Sequence, residues 1–182
     1  LFILLFCFFI DNVISFNYIN MNCNKPNIIK PIYVTKKWKI TINNKPNKTY
    51  YDWLNFIWYN EFYLNSIINS KIITYGDIYG KDSIRSINYF SNINQVITNT
   101  TYPSNILYKE YILPNRKSNK GEIKFINNKN NTELIWNINY TCLPYTENIT
   151  YKLYDNIISN NLKKLKLFSE RTKYQKINKR RV

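Results

Sequence analysis

Between Asn131 and Cys142 the large apolar side chains Leu134, Trp136, Ile138 and Tyr140 alternate with the polar Asn137, Asn139 and Thr141. A period of two marks a strand with one face in the core and the other in water. A lone strand cannot cover such a face, so its neighbours must. After Pro144 an apolar stripe, Tyr151, Tyr154, Ile157, Ile158, Leu162 and Leu165, recurs at three and four residues and predicts one long amphipathic helix. The expected fold class is α+β, a curved antiparallel sheet of about six or seven strands wrapped around a long C-terminal helix.

The rest of the chain is consistent with that plan. Ile32 to Ile42 alternates again, with Trp38, Ile40 and Ile42 on one side and Lys37, Lys39 and Thr41 on the other. Asn43 to Asn47 turns the chain, and Asn47 is the expected N-cap of a helix carrying Tyr50, Tyr51, Trp53, Leu54, Ile57 and Trp58. Phe62, Leu64, Ile67 and Ile68 predict a second short helix beyond a bend near Asn60. Past Gly76 and Gly80, strands are predicted at Ser83–Tyr89, Gln95–Tyr102, Ile106–Leu113, Gly121–Asn127 and Thr132–Cys142. Ser91–Asn94, Pro103–Asn105, Pro114–Lys120 and Asn128–Asn131 have turn composition, and links this short imply an antiparallel meander.

At 182 residues the chain has room for one domain, placed at residues 32–170, with a basic tail at 171–182. Leu1–Ile10 is almost unbroken apolar sequence, so residues 1–16 read as a signal peptide or a membrane anchor, and the Asn-rich residues 17–31 as a linker. A signal peptide implies a secreted or endomembrane protein; without one, a cytoplasmic or membrane-anchored protein is expected. The sequons at Asn47, Asn99, Asn130, Asn139 and Asn148 add little, because chance supplies most of them in a chain so rich in asparagine.

The formal charge of +15 suggests a polyanionic partner. Lysine far outnumbers arginine, and Asn, Ile, Lys and Tyr are over-used together, as an AT-rich coding sequence alone would produce. The absence of histidine removes the commonest general base and most zinc sites. Cys7, Cys23 and Cys142 show no metal-binding spacing, and Cys23 and Cys142 remain as a pair that bridges or stays reduced. No metal and no cofactor are expected.

Gly80-Lys81-Asp82-Ser83-Ile84-Arg85 resembles the Gly-x-Gly-Ser-hydrophobic-Arg entry to the second strand in the START-like (SRPBCC) superfamily, in its polyketide cyclase/dehydrase and lipid-transport branch. Gln95, followed by Ile106 and Tyr108, resembles the next strand pair of that family, and Thr132-Glu133-Leu134-Ile135-Trp136 is similar to its Thr-x-hydrophobic-x-Trp strand. The order of elements is likewise that of its helix-grip fold. Asp82 stands where the family usually has a second glycine, and Gln95 where a glutamate is common. The resemblance implies a cavity between sheet and helix that holds an apolar ligand; some members transfer lipids, some bind hormones and some cyclise aromatic precursors.

Strand parity then nominates ligand-binding residues: Trp38, Ile40, Tyr108, Phe125, Leu134, Trp136, Ile138 and Tyr140 on the sheet, and Tyr154 and Ile158 on the helix, with Ile42 and Ile123 beside them. Taken singly, each of these residues more often serves as plain core. Arg85, Tyr108 and Glu110 are the weaker catalytic candidates, the charged two being more often a structural pair or solvent-facing. The inward direction of Glu110 depends on register, which it shares with Ile106, Tyr108 and Ile112. An apolar small-molecule ligand is the expected partner, handled by a binder or carrier; a cyclase or dehydrase is the alternative. The basic tail, with Arg171, Lys173, Lys176, Lys179, Arg180 and Arg181, is a candidate contact for an anionic membrane surface, and with no RRM, KH or zinc-finger pattern no specific nucleic acid is expected.

Overall fold

The computed structural model describes residues 30–60, 69–89, 91–112 and 117–178. The apolar leader, most of the linker, Cys7 and Cys23, the second helical group Phe62–Ile68, and the end of the tail lie outside the described residues.

The strands are β1 (Ile32–Ile42), β2 (Asn69–Thr74), β3 (Ile84–Tyr89), β4 (Ser91–Thr101), β5 (Asn105–Ile112), β6 (Lys117–Asn128) and β7 (Asn131–Cys142). They form one seven-stranded sheet in the order β1-β7-β6-β5-β4-β3-β2, antiparallel throughout. Helix α1 (Pro46–Trp53) runs on into a π-helical turn (Leu54–Trp58), and helix α2 (Glu147–Asn178) follows a short 3-10 turn (Pro144–Thr146). The expected grip of a meander on a terminal helix is present. Helix α2 extends past Arg171, so the start of the predicted tail is helical. No helix among the described residues is long and apolar enough to cross a membrane.

Pairing lengthens several strands beyond their predicted limits. β4 begins at Ser91 and β6 at Lys117, because Ile93 pairs with Ile87 and Asn119 with Glu110; the backbone ladder overrides turn-like composition there. β2 was not foreseen as a strand. It pairs with β3 along a sheet edge, where burial leaves little periodic signal. The expected cap at Asn47 is also corrected: Lys45 occupies the N-cap without a side-chain bond and Pro46 sits in the first turn, where its missing N–H costs nothing. Asn47 Oδ1 instead accepts the N–H of Lys48 at 2.9 Å.

Inward residues of the sheet, α1, the π-turn and α2 share one core that includes Trp38, Ile42, Trp53, Trp58, Ile123, Leu134, Trp136, Ile158 and Leu165. Each fully buried large apolar side chain contributes about 1.5–3 kcal/mol. Of the Gly80–Arg85 motif, Gly80, Ser83 and Arg85 are buried beside it, while Lys81 and Asp82 are exposed. Gly80 takes φ +86 against Leu54, while Asp82 adopts φ 65, the left-handed conformation that a glycine would hold without strain. Ser83 Oγ accepts the indole N–H of Trp58 inside the core. Thr132 ties the start of β7 to the loop before α1, donating to the Asn44 carbonyl at 2.6 Å.

Gly121 of β6 is set by a neighbour on β5. The Tyr108 ring lies across it, so a Cβ there would fall within the ring. Gly121→Ala is therefore expected to push Tyr108 off Trp136 and cost about 2–3 kcal/mol in urea unfolding. Paired with Tyr108→Leu, the cost should be well below additive.

Candidate functional site

Cross-strand pairing brings polar residues of distant sequence into one row. Arg85 pairs with Gln95, Gln95 with Glu110, and Glu110 with Asn119, so all of them share the concave face of β3, β4, β5 and β6. All are buried, Arg85 to 1% exposure and Glu110 to 5%. Arg85 Nε donates to Gln95 Oε1 at 2.6 Å, and Gln95 Nε2 donates to Glu110 Oε1. Glu110 Oε2 accepts from Asn119 Nδ2 at 3.2 Å and from the Tyr154 hydroxyl of α2 at 3.2 Å. The row therefore runs from the sheet into the helix it grips.

Gln95 suits its place because an amide offers an acceptor to the cation and a donor to the anion. Arg85 and Glu110 were nominated as a charged pair; they are joined through Gln95. The guanidinium also donates to the carbonyls of Ile57 at 2.5 Å and Trp58 at 3.2 Å, and lies 4.3 Å from the Trp58 ring centroid. It thus closes the end of the π-turn, whose carbonyls would otherwise be unsatisfied.

Beside this row stands a wall of rings. Trp136 Nε1 donates to the Tyr108 hydroxyl at 2.9 Å, and Trp53 stacks on Trp58 at 6.0 Å and meets Trp136 at 5.7 Å. Tyr140 and Tyr154 lie 5.0 Å apart, and Phe125 packs 5.1 Å from Tyr50 at the other end. All ten nominated residues face the interior: Ile40 and Tyr154 are half-buried against the core, and Trp38, Tyr108, Phe125, Leu134, Trp136, Ile138, Tyr140 and Ile158 are buried. Trp38 turns its indole N–H to Asp155 of α2 at 2.8 Å and stacks on Tyr151. Lys163, Lys164 and Arg171 are exposed on the outer side of α2.

Sequence reasoning missed Asn119, which fell in a segment read as a turn, and the inward Asn161 of α2, hidden between apolar residues at helical spacing. Trp53 was assigned to α1 without being nominated for the site.

Burial holds the interior phenols neutral. Tyr154 is pushed well above the ordinary tyrosine value by burial and then by the neighbouring Glu110, and burial pushes Tyr140 up to about 12. Tyr154 therefore serves Glu110 as a donor.

No family model matches the sequence, and no curated protein matches it. Solved structures do resemble its fold. Ara h 8.0201 superposes with a TM-score of 0.56 at 12% identity, covering 76% of this chain and 98% of that one. Norcoclaurine synthase from Thalictrum flavum gives 0.56 at 11% identity over 81% and 95% of the two chains. Protein CV1439 from Chromobacterium violaceum gives 0.56 at 11% over 75% and 96%. The chain has the START-like helix-grip fold. At such identities the likeness concerns the fold alone.

Two outcomes follow for this START-like interior. Gln95→Glu sets a second carboxyl beside Glu110, with Arg85 as the one buried cation among the described residues to serve both. The fold must keep a proton on the new group, so stability is expected to fall by about 2–3 kcal/mol near pH 7. Because the new carboxyl is held protonated in the fold, part of the loss should return in denaturation curves near about pH 4. Tyr140, with its pKa raised above the unfolded value, contributes stability that is complete below about pH 10 and is lost as pH rises towards about 12. Tyr140→Phe should flatten that alkaline decline in thermal melts, and it should cost little at neutral pH because the hydroxyl has no hydrogen-bond partner among the described residues.

Proposed function

We propose that the protein binds an apolar small molecule between the concave face of the sheet and α2. The observation that carries this reading is the buried row from Arg85 through Gln95, Glu110 and Asn119 to Tyr154, set in a wall of rings. A core needed only for stability gains little from buried charges, since an apolar replacement of equal volume is often neutral or better. An apolar interior with a few convergent polar groups is, in contrast, the usual lining of a ligand site. Further support comes from the fold's use elsewhere: a Thalictrum norcoclaurine synthase variant is described in complex with a transition-state analogue.

A second reading, an enzyme of the cyclase or dehydrase kind, is favoured by the contact of Tyr154 with Glu110 and by Tyr108, two residues from Glu110 on the same face of β5. Glu110 would take a proton from the guest and Tyr154 would steady the carboxylate.

Purified protein is expected to take up Nile red saturably and to release a co-purified apolar compound into organic solvent. Neither signal appearing would refute the binder. Tyr154→Phe removes the hydroxyl that donates to Glu110 and should cost about 1 kcal/mol in urea unfolding. If Glu110→Gln keeps uptake but abolishes conversion of the extracted compound, the enzymatic reading prevails.

A further inference from the structure

Two N–H donors of the interior have no acceptor among the described residues: Trp53 Nε1 and Asn161 Nδ2. Trp53 is fully buried and Asn161 is 5% exposed. Asn161 lies on the inward stripe of α2, three residues after Ile158 and four before Leu165, and both of these belong to the same apolar core as Trp53. The two donors sit on two elements, α1 and α2, that pack against one core. Native interiors rarely leave N–H groups unpaired. An acceptor brought in from outside the chain would satisfy them.

Charge decides what kind of acceptor fits. Among the described residues Arg85 is the buried cation, and its guanidinium is already bonded to Gln95 and to the carbonyls of Ile57 and Trp58. Glu110 puts a carboxylate into the same interior. A guest bringing a second carboxylate would be buried with no cation left to balance it, whereas a neutral carbonyl asks only for N–H donors. The geometry points to an uncharged apolar guest bearing a carbonyl oxygen, a ketone or an ester, received by Trp53 Nε1 and Asn161 Nδ2. This assignment rests on the binding reading above and specifies the head group of its ligand. The unpartnered Tyr140 hydroxyl does not discriminate, since it gives and accepts equally.

The test compares 2-dodecanone, 1-dodecene and dodecanoate at about pH 8, where the acid is ionised, as competitors that displace Nile red from the full chain. The ketone is expected to bind at least about tenfold tighter than either of the others, matching one to two buried hydrogen bonds. Trp53→Phe and Asn161→Leu should each lower the ketone's affinity several-fold and leave that of 1-dodecene unchanged. Thermal melts check that each variant folds, and either variant suffices if the other does not. Dodecanoate binding as tightly as the ketone overturns the assignment. So does a ketone preference that survives both substitutions, the result expected if an enclosed water satisfies the donors. Nile red that fails to bind at all removes the binding reading itself, a failure distinct from a guest that binds without regard to its head group.

Discussion

A guanidinium and a carboxylate share the interior of this protein because one amide stands between them. Gln95 accepts from Arg85 and donates to Glu110, and neither charge has to meet an apolar surface unpaired. The arrangement depends on register. Arg85, Gln95, Glu110 and Asn119 stand directly opposite one another on successive antiparallel strands, so a one-residue slip in any of the three pairings would turn a charged side chain to the wrong face. Arg85 extends the same constraint to the π-turn through its carbonyls, and Glu110 extends it to α2 through Tyr154.

The helix is tied to the rest of the fold near each end of its gripped length. Near its start, Lys36 reaches Glu147 at 3.3 Å and Trp38 reaches Asp155. Towards its far end, Asn44 donates to the Ser169 carbonyl at 2.8 Å, Ser169 Oγ donates to Asp52, and the Asn43 N–H meets Glu170 at 3.0 Å. The half-exposed ion pair contributes little, about 0–1 kcal/mol. Asn44 and Ser169 are buried, so their bonds are costly to break. Between these ties the helix rests on apolar contacts of Ile158, Leu162 and Leu165, and there Asn161 turns an unpaired amide inward. Polar bonds hold the ends, and the middle is the part that an apolar guest would meet.

Much of this was legible in the chain. The alternation in β1 and β7 placed Trp38, Leu134, Trp136, Ile138 and Tyr140 inside, and the spacing after Pro144 found α2. The Gly80–Arg85 motif pointed to the helix-grip fold, and its aspartate takes the left-handed backbone conformation that a glycine holds without strain. Legibility failed where composition and pairing disagree. Asn119 sits in a run that reads as a turn, and only its partner Glu110 on β5 makes it part of a strand. β2 has too little one-sided burial to show a period, and Asn161 is a polar residue on an apolar stripe.

Sequence alone determined the elements that bury a face, because the period of apolar residues records which side of a strand or helix leaves water. It also determined which residue types stand at each position of the interior. Tertiary structure decided which of them meet. Arg85, Gln95, Glu110, Asn119 and Tyr154 become neighbours only through strand register and the seating of α2, and those follow from packing between segments far apart in the chain, which no local period encodes.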